Sequence, residues 1–173
     1  IKFNDMLNQL SEAKKDDVLL LHGCCHNPCG ADLDPSQWNQ VADLCLERDL
    51  VPLVDLAYLG LGDSLEEDAI GVRILADKLP ELMVVISCSK NLGLYKERVG
   101  AILIVSSNSS DKEKAFSNLT SVARSIYSMP PDHGAAIALE VLTDPALREE
   151  WKKELNEVRD RIKNVRHLLA SKL

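Results

Sequence analysis

The chain has 173 residues, enough to bury one sizeable core. Hydrophobic residues make up 46% and charged residues 27%, a balance that excludes an intrinsically disordered polymer. A formal net charge of −7 argues against a nucleic-acid partner, and the longest apolar runs are strand-sized, too short for a membrane span.

The first segment, residues 4–13, has helical spacing, with Phe3, Leu7 and Leu10 on one side. Residues 18–22 (Val-Leu-Leu-Leu-His) read as a buried strand. A loop rich in Gly, Pro, Asn and Cys covers residues 23–34. Asp34-Pro35 then supplies an N-cap and a first-turn proline for a helix carrying Trp38, Val41, Ala42 and Cys45. Residues 51–55 form a second strand. Ser64-Leu65-Glu66-Glu67 has the form of a capping box, predicting a helix with Ala69, Val72, Ala76 and Leu79 inward, stopped by Pro80. Residues 82–87 and 99–105 read as a third and fourth strand, and 110–126 as a helix. A further helix follows over 133–142. Asp144-Pro145 caps a long final one, whose stripe is Leu147, Trp151, Leu155, Val158, Ile162, Val165 and Leu169.

Strands alternating with helices predict an α/β fold, a mostly parallel sheet flanked by helices. Ligands of such sheets bind beyond the carboxyl ends of the strands. His22, Asp55 and the segment Ser87-Cys88-Ser89-Lys90 end the first three strands, so their side chains are expected to share one site.

Lys90 stands between serines and an arginine: Ser87 and Ser89 before it, Arg98 after it. An amine beside hydroxyls and a guanidinium suits a phosphorylated aldehyde cofactor, which the amine can bond covalently. Asp55, at the end of a buried strand, needs a cation such as a protonated pyridine nitrogen, or else it caps the following turn. Tyr58 can donate to a ring phenolate oxygen, and so can Asn27; alternatively Asn27-Pro28 and Gly30 serve only a turn. Arg124 is suited to grip a carboxylate with two parallel hydrogen bonds, or to sit solvated at a helix end. Cys24, Cys25, Cys29 and His26 pose a metal alternative, a thiol- or zinc-based interaction module. The chain has no second paired Cys/His half to close a four-ligand set, and no metal is expected.

The segments His22-Gly23-Cys24-Cys25-His26-Asn27-Pro28-Cys29-Gly30, Asp55-Leu56-Ala57-Tyr58, Ser87-Cys88-Ser89-Lys90-Asn91-Leu92-Gly93-Leu94-Tyr95, Glu97-Arg98-Val99-Gly100 and Arg124 with Tyr127-Ser128-Met129-Pro130-Pro131 together resemble the class I aspartate and aromatic amino-acid aminotransferases. The likeness runs over almost the whole chain. It implies the large-domain fold of pyridoxal-phosphate transferases. It also implies that pyridoxal 5'-phosphate is bonded to Lys90, which shuttles a proton between the substrate Cα and the cofactor C4′. Asp55 would pair with the pyridinium nitrogen, Tyr58 and Asn27 would hold the ring oxygen, and Ser87, Ser89 and Arg98 would hold the phosphate. Arg124 would reach into a neighbouring subunit and bind the distal carboxylate of a dicarboxylic substrate. Cys29 stands where the family usually has threonine, and Met129 where many relatives have asparagine.

The same resemblance implies an amino-group transfer between aspartate or aromatic amino acids and 2-oxoglutarate, in a homodimer with shared sites and with no membrane or nucleic-acid partner. A decarboxylase or lyase on the same scaffold is the alternative. Residues 1–143 are expected to be a partial cofactor-binding domain, and 144–173 a helix leading toward a small domain outside this chain. The start at Ile1 is expected of a piece of a longer protein, inactive by itself. No secretory leader pattern is seen, and five cysteines without pairing logic are expected of a reduced, cytoplasmic protein.

Overall fold

The computed structural model describes residues 1–173. Four strands form one sheet in the order β1 (Val18–His22), β2 (Val51–Leu56), β3 (Glu81–Ser87), β4 (Gly100–Ser106). β1, β2 and β3 are parallel, because α2 (Pro35–Arg48) and α3 (Ile70–Lys78) supply the crossovers that parallel neighbours need. Between β3 and β4 lies only the four-residue α4 (Cys88–Asn91) and a turn, so β4 returns antiparallel. The sheet is therefore mostly parallel, as the sequence predicts. The helix α1 (Phe3–Leu10) precedes it, and α5 (Ser109–Tyr127), α6 (His133–Thr143) and α7 (Pro145–Ala170) follow.

One sheet face is closed. Leu21, Val54, Leu56, Leu82 and Val84 point into a core completed by Trp38, Val41, Ala42 and Cys45 of α2 and Leu75 of α3. Gly71 is needed there: a Cβ on it would overlap the Trp38 indole, so its bare backbone lets α3 lie against α2. The Asp34 carboxylate accepts from the Gln37 N–H while the Gln37 side chain accepts from the Asp34 N–H, which starts α2 as the sequence predicts.

The opposite face is open. The expectation that β1 is buried holds for one side only: Leu21 is buried, whereas Leu20 is 64% exposed. Side chains alternate along a strand, and α2 and α3 cover only one side of this edge strand.

Two helices also differ from expectation. Ser64 Oγ accepts from the Glu67 N–H at 3.0 Å, but the turn it closes does not begin a helix. Asp68 is buried instead, and its carboxylate accepts from the N–H groups of Gly60, Gly62 and Asp63, so α3 starts only at Ile70. Gly71, Leu75 and Leu79 then face inward, Val72 is half-buried, and Ala76 faces solvent. In α7, capped by Asp144 through the N–H groups of Ala146 and Leu147, the stripe is buried at Leu155 and half-buried at Trp151. Further along, Val165 and Leu169 are exposed, because no element of the chain lies over them.

Candidate functional site

The parallel strands finish side by side, and the loop after each carries polar side chains. His22 is in register with Asp55, and Asp55 with Val85. The loop after β1 is shaped by its own polar groups. The Asp32 carboxylate accepts from the N–H of Cys25 at 2.8 Å and of His26 at 2.9 Å. His22 Nδ1 accepts from the Asn27 N–H at 3.2 Å, and the His22 and His26 rings stack with centroids 4.6 Å apart. Gly30, with φ of +61°, donates its N–H to the His26 carbonyl, closing the turn in a conformation that favours glycine. This loop presents Asn27, whose Nδ2 donates to the Tyr58 hydroxyl at 3.3 Å.

Asp55 is half-buried at the end of β2, where its Oδ1 accepts from the Ala57 N–H at 2.8 Å. The turn-capping geometry is thus present, yet it engages only one carboxylate oxygen. Ser87 caps α4, its Oγ accepting from the Ser89 N–H at 3.1 Å. One residue further on, the Lys90 ammonium lies 4.5 Å from the centroid of the Tyr58 ring, within cation–π range.

Asn27, Tyr58 and Lys90 line one cavity of about 490 Å³, with Tyr95 on its rim and Val158, Ile162 and Arg166 of α7 as its far wall. That volume suits a small molecule. A second cavity of about 470 Å³, beside His22, His26 and Cys29, is walled mainly by apolar side chains: Ile1, Met6 of α1, Leu20 and Leu21 of β1, and Leu33 of the loop that follows.

The other residues singled out from the sequence lie differently. Arg98 is exposed and left-handed, with φ of +52°; its guanidinium donates to the Tyr95 carbonyl at 3.1 Å, beside α4 but on neither serine. Arg124 is exposed in the last turn of α5 and takes no part in the cavity. Tyr95, Arg166 and Asp32 had no role assigned from the sequence. Arg166 donates to the carbonyl of Gly30, 136 residues away, at 3.4 Å, a pairing that no local motif could signal.

The thiols do not gather as the metal alternative supposes. Cys29 lies 3.1 Å from His26 Nδ1, while Cys24, Cys25 and Asp68 form a separate group. Asp68 spends its oxygens on three backbone N–H groups. A hydrogen bond from Cys24 to Cys25, together with burial, holds the Cys24 thiol far above the usual range, and the same bond draws Cys25 down. All five cysteines are free.

A lysine, a phenol and an amide line one cavity beside the ends of parallel strands, and Asp55 ends the middle strand just outside its lining; this marks an α/β protein with a candidate small-molecule site on that edge. The family model described as "Aminotransferase class I and II" matches residues 1–173, and the chain belongs to that family. It is 45% identical over 173 residues to an aromatic-amino-acid aminotransferase of Paracoccus denitrificans, covering 100% of this chain and 44% of the relative. To an aspartate aminotransferase of Escherichia coli (strain K12) it is 44% identical, with coverage of 100% and 44%. Among solved structures, an aromatic amino acid aminotransferase with 3-indolebutyric acid superposes with a TM-score of 0.96 at 45% identity, over 99% of this chain and 43% of that one. An aromatic-amino-acid aminotransferase from Burkholderia pseudomallei, described as covalently bound to pyridoxal phosphate, gives 0.93 at 43% identity, over 96% and 42%. The chain thus spans less than half the length of the curated relatives it matches.

Proposed function

We propose that the protein to which this chain belongs is an aminotransferase, moving an amino group between aspartate or aromatic amino acids and 2-oxoglutarate with pyridoxal phosphate as cofactor. The observation that carries this reading is the placement of the Lys90 amine over the Tyr58 ring, with Asn27 on the Tyr58 hydroxyl. The donor set fits the cofactor: an amine for the aldehyde, a carboxylate with a free oxygen for the pyridinium, and a phenol and an amide for the ring oxygen. Bound pyridoxal phosphate would supply an electron sink for the negative charge that develops at the substrate Cα.

In this reading Lys90 tethers the cofactor and afterwards takes the proton from the substrate Cα. Asp55 holds the pyridinium proton in place, and Tyr58, oriented by Asn27, donates to the ring oxygen. Ser87, Ser89 and Arg98 hold the phosphate; Arg98 would leave the Tyr95 carbonyl to do so. Arg124 binds the distal carboxylate of a dicarboxylic substrate in the site of a second subunit, which requires a two-fold homodimer. Residues 1–143 form part of the cofactor-binding domain, and 144–173 lead toward a small domain. Free cysteines support a reducing, cytoplasmic setting. No helix is long and apolar enough to cross a membrane.

Reduction of the cofactor-loaded, complete subunit with borohydride, followed by peptide mass mapping, tests this reading. The expected product is cofactor mass fixed to Lys90. Label on a different lysine would overturn the assignment of Lys90. A coupled assay for glutamate formed from 2-oxoglutarate in step with the oxo acid from aspartate or phenylalanine separates transamination from decarboxylation, which gives an amine and carbon dioxide, and from β-elimination, which releases the β-substituent and ammonia and forms no glutamate.

A further inference from the structure

We propose that Asn91 is a positioning residue for Lys90, acting as a clamp that fixes the amine by tying α4 at once to the Tyr58 loop and to α7. The proposal rests on the reading of Lys90 as the cofactor-bearing lysine. α4 has only four residues, too few for its own hydrogen bonds to hold it. Contacts with residues outside it must set where Lys90 stands. At its N-terminal end these are Ser87 Oγ on the Ser89 N–H, and the Val99 carbonyl on the Cys88 N–H at 3.1 Å. At its C-terminal end they run through its last residue, Asn91.

Asn91 is buried, 9% exposed, and makes two bonds to separate parts of the chain. Its Nδ2 donates to the carbonyl of Leu59 at 3.3 Å. Leu59 directly follows Tyr58, the residue whose ring lies under the Lys90 ammonium. The Asn91 carbonyl accepts from the Trp151 indole N–H at 2.6 Å, a contact spanning 60 residues. One residue therefore sets α4 against both the loop that carries Tyr58 and the helix that walls the cavity. Its Oδ1 has no protein partner, which is destabilising by itself. A leucine would fill the same space without that cost, so packing does not explain the amide; the bond to Leu59 does.

α7 meets the same loops at other points, and Leu155, 4% exposed, packs on Gly60 of the loop after β2. Further along the helix, Lys163 pairs with Asp63 at 2.7 Å and Arg166 reaches the Gly30 carbonyl. These contacts reach the loops after β1 and after β2, the same two loops that present Asn27 and Tyr58. Trp151 joins the helix to the turn after Lys90.

Two substitutions in the complete subunit test the clamp. Asn91→Leu removes the bond to Leu59 and keeps the volume; Trp151→Phe removes the indole donor and keeps an aromatic ring. In the pyridoxal-phosphate-loaded protein, each is expected to slow single-turnover oxo-acid formation roughly tenfold, as a small misplacement of a reacting group does. Each should also move the pH midpoint of the cofactor's visible absorbance change. The double variant should be little worse than either single one, because both bonds serve one clamp. In the cofactor-free protein, the rate at which acetic anhydride modifies Lys90, relative to the other lysines, should change in both variants. Lowered melting temperatures with both Lys90 readouts at native values would overturn the proposal and leave Asn91 a packing residue. If N91L does not fold, W151F decides, since it breaks the other bond of the same residue. If the native protein takes up no pyridoxal phosphate, the functional reading fails, while the acetylation rates still decide the clamp.

Discussion

Lys90 and Arg124, the two residues on which the proposed chemistry depends most, sit in opposite kinds of surroundings. Lys90 is half-buried at the end of β3, over the Tyr58 ring, in a cavity whose walls come from the loops after β1 and β2 and from α7. Behind it lies the closed sheet face, where Val54 and Leu75 are fully buried. Arg124 lies on α5, a helix without a single buried residue, and near it Ile126 is 71% and Met129 77% exposed. The contrast separates two tasks. In the proposed reading, Lys90, Tyr58 and Asn27 would hold the cofactor from within one chain, on loops that follow the core strands. The distal carboxylate of a substrate would, in the same reading, be met by Arg124 on a surface this chain leaves uncovered, as a site completed by a second subunit would need.

The closed side should respond most strongly to substitution. Lys90→Ala in the complete subunit would, in the proposed reading, remove both the tether and the base, so turnover should fall by on the order of 10⁴, the upper end for a general acid–base group. The check is steady-state kinetics together with the loss of the absorbance band of the lysine-bound cofactor. Retention of that band would move the attachment point elsewhere.

Asp55→Asn comes next. It keeps an oxygen that can accept from the Ala57 N–H, so the turn should survive, but it removes the charge. The loss expected is about 10² to 10³ in turnover, typical of deleting one preorganised electrostatic partner. An unchanged rate would mean that Asp55 only caps its turn, the alternative that its sequence context leaves open.

On the open side the effect should be smaller and selective. Arg124→Leu removes a charge-assisted hydrogen-bonding group, each such bond contributing about 1.5–3 kcal/mol. The value of kcat/KM for aspartate should therefore fall about tenfold to a hundredfold. Phenylalanine, which has no distal carboxylate, should lose little. Equal losses for both substrates would break the comparison, because Arg124 would then be supporting the fold or the dimer and not reading a charge.

Much of the closed side was legible in the sequence, for identifiable reasons. Asp34, Pro35 and Gln37 announce α2 because capping is a local affair of a few residues. The strand-end positions of Asp55 and Lys90 follow from alternating apolar runs and polar punctuation. Contacts with no side-chain signature were out of reach. Asp68 turns inward because three backbone N–H groups need an acceptor, and nothing in the identities around it shows that. The Trp151–Asn91 and Arg166–Gly30 bonds join segments far apart in the chain. Hydrophobic spacing also tells which residues share a face, not what covers it. That is why Leu20 in β1 and Val165 in α7 fit their patterns and are nevertheless exposed.

The closed side should carry one pH signature that the open side lacks, and it is the smallest effect expected here. Cys45 of α2 is 1% exposed against the sheet, and burial pushes its thiol from the ordinary value of 9.0 up to about 11. In the unfolded chain the thiol ionises near its ordinary value, whereas in the fold it keeps its proton two units higher. Between those values the unfolded state binds fewer protons, so stability falls with rising pH. The contribution is complete below pH 9.0 and is lost as pH rises toward 11. Cys24 and Cys88 are raised as well, so a single substitution removes only one share. Cys45→Val approximately conserves volume and cannot ionise. Urea midpoints at about pH 8 and about pH 10 should therefore converge more closely in the variant than in the native protein. Equal drops in both would place the alkaline sensitivity outside the α2 core, with the other raised thiols as the first groups to examine.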